Sequence, residues 1–274
     1  MNAKLSLALF AIALPLVAQE KKDPFPLRAK FPQLECISTD ELRDLQDPIV
    51  VDARNKIEFD VVHVEGAVSL DVTDMKKADL EAVRAADGTR TIVFYCNGVT
   101  CKKSYEAAEK ARIWGFTNCK VYDAGVFTWA ENNPTRTRFF GDLLTKENVK
   151  TKLIPKSELQ AISLSTADFI AKARSGDYKV YDIRDTKDRQ DFPIKLPKIA
   201  KLPMDDFVTV LEKGAVPAEK VLILDNVGKQ VNWLQYYLRR AGHKDHHFLL
   251  GGVGQWKKDG FDSDGNPIAA KPAK

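Results

Sequence analysis

The strongest constraint on this chain is that its second half repeats the order of its first. Ser38-Thr39 opens an amphipathic run and Ser165-Thr166 opens another, each reading as a helix N-cap. Ile49-Val50-Val51-Asp52-Ala53-Arg54 reads as a buried strand closing on Asp-x-Arg, and Lys179-Val180-Tyr181-Asp182-Ile183-Arg184 repeats it. Ile92 to Tyr95 runs into Cys96 as Val221 to Leu224 runs into Asp225; Gly115 answers Gly242, and Trp129 answers Trp256. Five correspondences in one order, each roughly 130 residues apart, indicate a tandem duplication. Strands alternating with amphipathic helices predict an α/β fold, each copy a mostly parallel sheet flanked by helices.

Length agrees with two copies, since 274 residues are enough for two domains that bury cores without disulfides or metals. The expected boundaries are 33–135 for the first domain, 136–156 for a polar linker carrying Pro155, and 157–262 for the second, with the tail from Lys257 to Lys274 fraying. A surplus of 42 Lys+Arg over 38 Asp+Glu, with no dense basic stripe interleaved with aromatics, argues against nucleic acid as a partner. At the amino terminus, Lys4, the apolar run Leu5 to Val17 and small Ala18 have the order of a secretory signal peptide, placed at 1–18 and too short to span a bilayer comfortably. A periplasmic or secreted location without stable membrane insertion follows, and Cys36, Cys96, Cys101 and Cys119 would then meet an oxidising compartment.

Cys96 draws most of the chemical attention. It ends a predicted strand, and Asn97-Gly98-Val99-Thr100-Cys101-Lys102 leads into a helix from about Tyr105 to Trp114. A thiol there faces unpaired backbone N–H groups and the positive end of a helix dipole, which favours thiolate and holds an anion. Gly98 lets successive N–H groups turn inward, and Lys102 and Lys103 add positive charge, so the expectation is a nucleophilic Cys96 with a lowered pKa.

These residues resemble the rhodanese family: Val51-Asp52-Ala53-Arg54, Glu58-Phe59, His63-Val64-Glu65-Gly66-Ala67, Tyr95-Cys96-Asn97-Gly98 and Asp123-Ala124-Gly125-Val126-Phe127-Thr128-Trp129 follow the family's order. The second copy keeps Asp182-x-Arg184 and Gly251-Gly252-Val253-Gly254-Gln255-Trp256. The resemblance implies two rhodanese-like domains and a sulfurtransferase whose Cys96 carries a persulfide, taking sulfane sulfur from thiosulfate or a similar small anionic donor and passing it to a thiophilic acceptor. Cys96 falls on the family's nucleophile; Asn97, Gly98, Val99, Thr100, Cys101 and Lys102 fall on its anion-cradling loop, and Arg54 is a candidate anion ligand. The loop is about two residues longer than is usual, and Asp225 replaces the cysteine of the second copy, which is therefore expected to be catalytically silent and free to shape the crevice or bind a protein partner.

Two other readings stand beside it: a thiol redox protein using Cys96 and Cys101, and a silent binding module. No dissociable cofactor is needed, and no metal site is expected, since His243, His246 and His247 lack a supporting Cys or carboxylate pattern. A cysteine phosphatase is disfavoured because Lys102 stands where the bidentate grip of an arginine on phosphate would be required. His63 is expected to structure its turn, and Trp129 and Trp256 to pack in cores.

Overall fold

The computed structural model describes residues 24–84, 88–217 and 220–268; the proposed signal segment, 1–18, lies outside them. In chain order the first half contains β1 (Glu35–Cys36), α1 (Thr39–Asp44), β2 (Ile49–Asp52), α2 (Lys56–Val61), β3 (Val62–Val64), β4 (Val68–Ser69), α3 (Lys77–Arg84), β5 (Ile92–Tyr95), α4 (Lys103–Ile113), β6 (Cys119–Tyr122) and α5 (Gly125–Asn132). The middle contributes β7 (Thr137–Phe139), β8 (Asp142–Leu143), α6 (Val149–Lys152) and α7 (Lys156–Ala161). The second half contains β9 (Ser163–Leu164), α8 (Thr166–Arg174), β10 (Lys179–Asp182), α9 (Thr186–Asp191), β11 (Ile199–Lys201), α10 (Met204–Glu212), β12 (Val221–Leu224), α11 (Val231–Arg240), β13 (His246–Leu249) and α12 (Gly252–Lys258).

Two parallel five-stranded sheets result, ordered β1-β6-β5-β2-β4 and β9-β13-β12-β10-β11. Within its own half each strand holds the same place in the same order. Strands β2, β5 and β12 are buried along their whole length, which explains their unbroken apolar runs: a parallel sheet covered on both faces has no polar side to alternate with. The two caps behave as their sequence suggests. Ser38 accepts from the Glu41 amide while the Glu41 carboxylate accepts from the Ser38 amide, a complete capping box; Ser165 accepts from the Asp168 amide.

The core is layered. Leu80, Phe94, Tyr105 and Ala108 pack on the outer face of the first sheet, and Phe169, Leu222 and Trp256 on the outer face of the second. Between the sheets a single cluster joins Val61, Tyr95 and Trp129 to Ile183, Phe207, Trp233 and Leu238. The halves thus share buried apolar surface, the dominant favourable contribution to such an interface.

Two segments differ from expectation. Residues 136–156, read as a linker, include β7 and β8, which form a three-stranded antiparallel sheet with β3 of the first half. Their polarity reflects a small sheet with one wet face, which composition alone does not separate from a loop. The tail beyond Lys257 continues α12 and then folds back through a Phe261–Pro267 bridge, with the Trp256 indole donating to the Asp262 carbonyl at 2.9 Å. Residues 269–274 lie outside the described residues.

Candidate active site

Cys96 leaves the carboxyl end of β5, the central strand of the first sheet, where open parallel sheets place their ligand crevices. Its carbonyl accepts from the Val126 amide at 3.0 Å, and the Asp225 carbonyl accepts from Val253 at 2.9 Å in the second half. Both strand ends are thereby tied to the helix that follows the last strand. That tie brings the backbones so close that a Cβ built on Gly125, at φ +84°, would lie 2.3 Å from Gly98 Cα and 2.4 Å from the Asn97 carbonyl carbon. The loop after Cys96 needs glycine at position 125.

The loop itself is compact. The Cys101 amide donates to the Gly98 carbonyl at 2.8 Å, so Val99 and exposed Thr100 form the tip of a turn that folds Cys101 back over Cys96. The Cys96 thiol, 1% exposed, donates to the Cys101 carbonyl at 3.2 Å and lies 3.3 Å from the Ser104 hydroxyl, with the Cys101 thiol as its titratable neighbour. Burial, reinforced by that neighbouring sulfur, pushes the Cys96 thiol well up rather than down. Cys101 carries the opposite perturbation. The hydrogen bond from Cys96, opposed by burial and supported by the Asn97 and Lys103 backbone amides, brings its thiol down to about 6. The lowering expected at Cys96 falls on its neighbour Cys101 instead.

Other expected ligands are engaged elsewhere. Arg54 is fully buried, bidentate with Asp52 at 2.8 and 2.6 Å, and donates to the Val62 carbonyl at 2.6 Å and to Asn97 Oδ1 at 3.1 Å. It sits inside the protein as a positioning group and does not reach the crevice as an anion ligand. Asn97 also donates to Glu58 at 2.8 Å, so the chain Asp52–Arg54–Asn97–Glu58 sets the direction in which the loop leaves β5. Lys102 points to Glu106 at 2.8 Å across one helical turn and is largely exposed; Lys103 faces Asp71 at 3.5 Å. Both ammonium groups point to carboxylates, one a turn away on α4 and one on a neighbouring loop. Ser104, which no sequence pattern singles out, is fully buried against Cys96. His63 braces its turn, its Nδ1 2.7 Å from the Phe59 carbonyl and its ring stacked on Phe59.

Beyond Asn97 opens a cavity of about 660 Å³ between the halves, lined by Asn97, Phe127 and Glu131, by Val149 to Leu159 of the middle segment, and by Trp233 and Tyr236 of α11. Phe127 stacks on Trp233 at 5.4 Å, the Arg54 guanidinium lies 5.1 Å from the Trp233 ring centre, and the Tyr237 hydroxyl donates to the Ile57 carbonyl at 3.0 Å. The second half therefore walls the crevice of the first. At the corresponding strand end of that half, Asp225 is fully buried and accepts from the Gly228 and Gln230 amides at 2.5 and 2.8 Å. Its own carboxylate fills the loop where a thiol stands in the first. Cys36, Cys96, Cys101 and Cys119 are all free; Cys36 contacts the Tyr105 hydroxyl and Cys119 the Phe116 carbonyl, so the two outer cysteines have separate environments. Among the described residues no group of three His, Cys, Asp or Glu is arranged to hold a metal.

One family, described as Rhodanese-like domain, matches residues 38–132, the segment that holds this loop and Cys96. Residues 38–132 are a rhodanese-like domain. The tRNA uridine(34) hydroxylase of Listeria welshimeri is 29% identical over 119 residues, covering 42% of this chain and 36% of its own length; that of Bacillus pumilus is 28% identical over 114 residues, covering 40% and 34%. The chain spans about a third of the length of these curated relatives. Among solved structures, the thiosulfate sulfurtransferase of Pseudomonas aeruginosa is similar over 87% of this chain and 45% of its own at 17% identity, with a TM-score of 0.38. The rhodanese-like domain from an Anabaena protein covers 41% of this chain and 86% of its own at 20% identity, with a TM-score of 0.32.

Proposed function

We propose that the protein is a sulfurtransferase that takes sulfane sulfur from thiosulfate or a similar small anionic donor, holds it as a Cys96 persulfide, and gives it to a thiophilic acceptor. The observation that carries this reading is the pair of cysteines in the loop at the end of β5, inside the segment that matches the Rhodanese-like domain. The neighbouring Cys101 thiolate is the base that receives the Cys96 proton as Cys96 attacks the sulfane sulfur and sulfite departs. Loop amides that favour negative charge on Cys101 are positioned to stabilise the anion on which charge develops. Residues 157–262 are a second rhodanese-like copy, arisen by duplication and silent because Asp225 cannot carry a persulfide; their role is to wall the crevice with Trp233 and Tyr236 and to offer a face to a protein partner. Export through residues 1–18 and a periplasmic or secreted location complete the proposal, with no cofactor, no nucleic acid and no stable membrane insertion.

The test is single-turnover release of sulfite on mixing with thiosulfate. Wild-type protein is expected to release about one sulfite per chain, and Cys96→Ser none. No sulfite from protein whose Cys96 and Cys101 are shown to be reduced refutes transfer from thiosulfate.

A further inference from the structure

The persulfide reading leaves Cys101 with more than a proton to carry. The Cys101 amide donates to the Gly98 carbonyl at 2.8 Å, and the turn closed in this way brings the Cys101 carbonyl within 3.2 Å of the Cys96 sulfur. A sulfur added to Cys96 would therefore have residue 101 as its neighbour. The ammonium groups of Lys102 and Lys103 point to Glu106 and Asp71. Cys101 is half-buried while Cys96 is enclosed, so the outer thiol is both the neighbour of the sulfane sulfur and the group a reductant in solvent can reach.

We propose that Cys101 resolves the Cys96 persulfide, so that the domain reduces sulfane sulfur to sulfide and ends its half-reaction as a Cys96–Cys101 disulfide. This inference rests on the sulfurtransferase reading and deepens it. The Cys101 thiolate attacks Cys96 Sγ; a bond forms between the two cysteine sulfurs, the bond from Cys96 Sγ to the sulfane sulfur breaks, and that sulfur leaves with its proton as hydrosulfide. The two cysteines are oxidised by two electrons and the sulfane sulfur is reduced by two. A dithiol reductant, small or protein-borne, then opens the disulfide by exchange and restores both thiols. Both cysteines belong to the one loop between the end of β5 and the start of α4, and its turn already folds residue 101 back to Cys96, so the bond closes within that loop.

The experiment mixes the full-length reduced protein with thiosulfate, without acceptor, and reads sulfite, sulfide and intact mass for wild type, Cys96→Ser, Cys101→Ser and Cys101→Ala. Thermal melts show that each variant folds, and the two replacements at 101 separate loss of the thiol from a change of polarity. Wild type is expected to release about one sulfide per chain and to end about 2 Da below its reduced mass, while both Cys101 variants release sulfite, keep a gain of about 32 Da and release no sulfide. Wild type that keeps the gain of about 32 Da and releases no sulfide overturns the relay and leaves sulfur transfer standing. Sulfur retained by Cys96→Ser places the persulfide on Cys101 and overturns the order of events. Absence of sulfite from every form removes the transfer reading and the relay with it.

Discussion

Replacing Cys96 with alanine removes the hydrogen bond that contributes most to the low pKa of Cys101, so the effect should be read at the neighbour. With its thiol at about 6, Cys101 is about 90% thiolate at pH 7; returned to its ordinary 9.0, it would be about 1% thiolate. The loss of reactivity is smaller than that ratio, because a thiolate of higher pKa is intrinsically more nucleophilic. With a Brønsted coefficient of about 0.4–0.5, three pH units restore roughly 15- to 30-fold. Iodoacetamide alkylation of Cys101 at pH 7 should therefore slow by only about three- to six-fold in Cys96→Ala, whereas its limiting rate at alkaline pH should rise by roughly 15- to 30-fold. The midpoint is the sharper readout. In wild type the rate should rise through pH about 6 and level off above it, since a depressed thiol is ionised above its folded pKa and loses its charge as the pH falls through that value; in the variant the rise should move toward 9. Peptide mapping isolates Cys101 from Cys36, which burial raises, and from Cys119, which burial pushes up to about 11. A midpoint that stays near 6 in Cys96→Ala would show that the loop amides alone hold the thiolate, and would refute the shared-proton account of the pair.

Other perturbations probe the scaffold. Gly125→Ala puts a methyl group within 2.4 Å of the Asn97–Gly98 backbone at a positive φ; strain and overpacking together should cost about 2–5 kcal/mol in denaturant unfolding and misplace the thiol loop, lowering sulfite release even in the folded fraction. Arg54→Met leaves Asp52 buried without its partner and should destabilise by about 3–5 kcal/mol, whereas the double change of Asp52 and Arg54 to apolar residues should recover much of that loss. Tyr237→Phe deletes the hydrogen bond to the Ile57 carbonyl across the two halves; a loss of about 1 kcal/mol or somewhat more is expected in thermal or denaturant unfolding.

Much of the architecture was legible in the chain itself. Unbroken apolar runs marked β2, β5 and β12 because strands covered on both faces need no polar side, and Ser38 and Ser165 marked helix starts because their hydroxyls can accept the amides that a helix leaves unpaired. The strand-terminal position of Cys96 and the glycine in its loop are likewise local properties. Only the tertiary structure pushes the two thiols in opposite directions, Cys96 up through desolvation and Cys101 down, because burial is not a property of spacing. Arg54 and Lys103 carry charge of the kind expected near an anion site, but burial of the Asp52–Arg54 pair and the approach of Asp71 to Lys103 are decided by the fold. The pairing of β7 and β8 with β3, and Trp233 over Arg54, arise from packing between segments distant in sequence. Sequence determines where a group enters and leaves an element; burial and partners, which fix its chemistry, exist only once the elements have met.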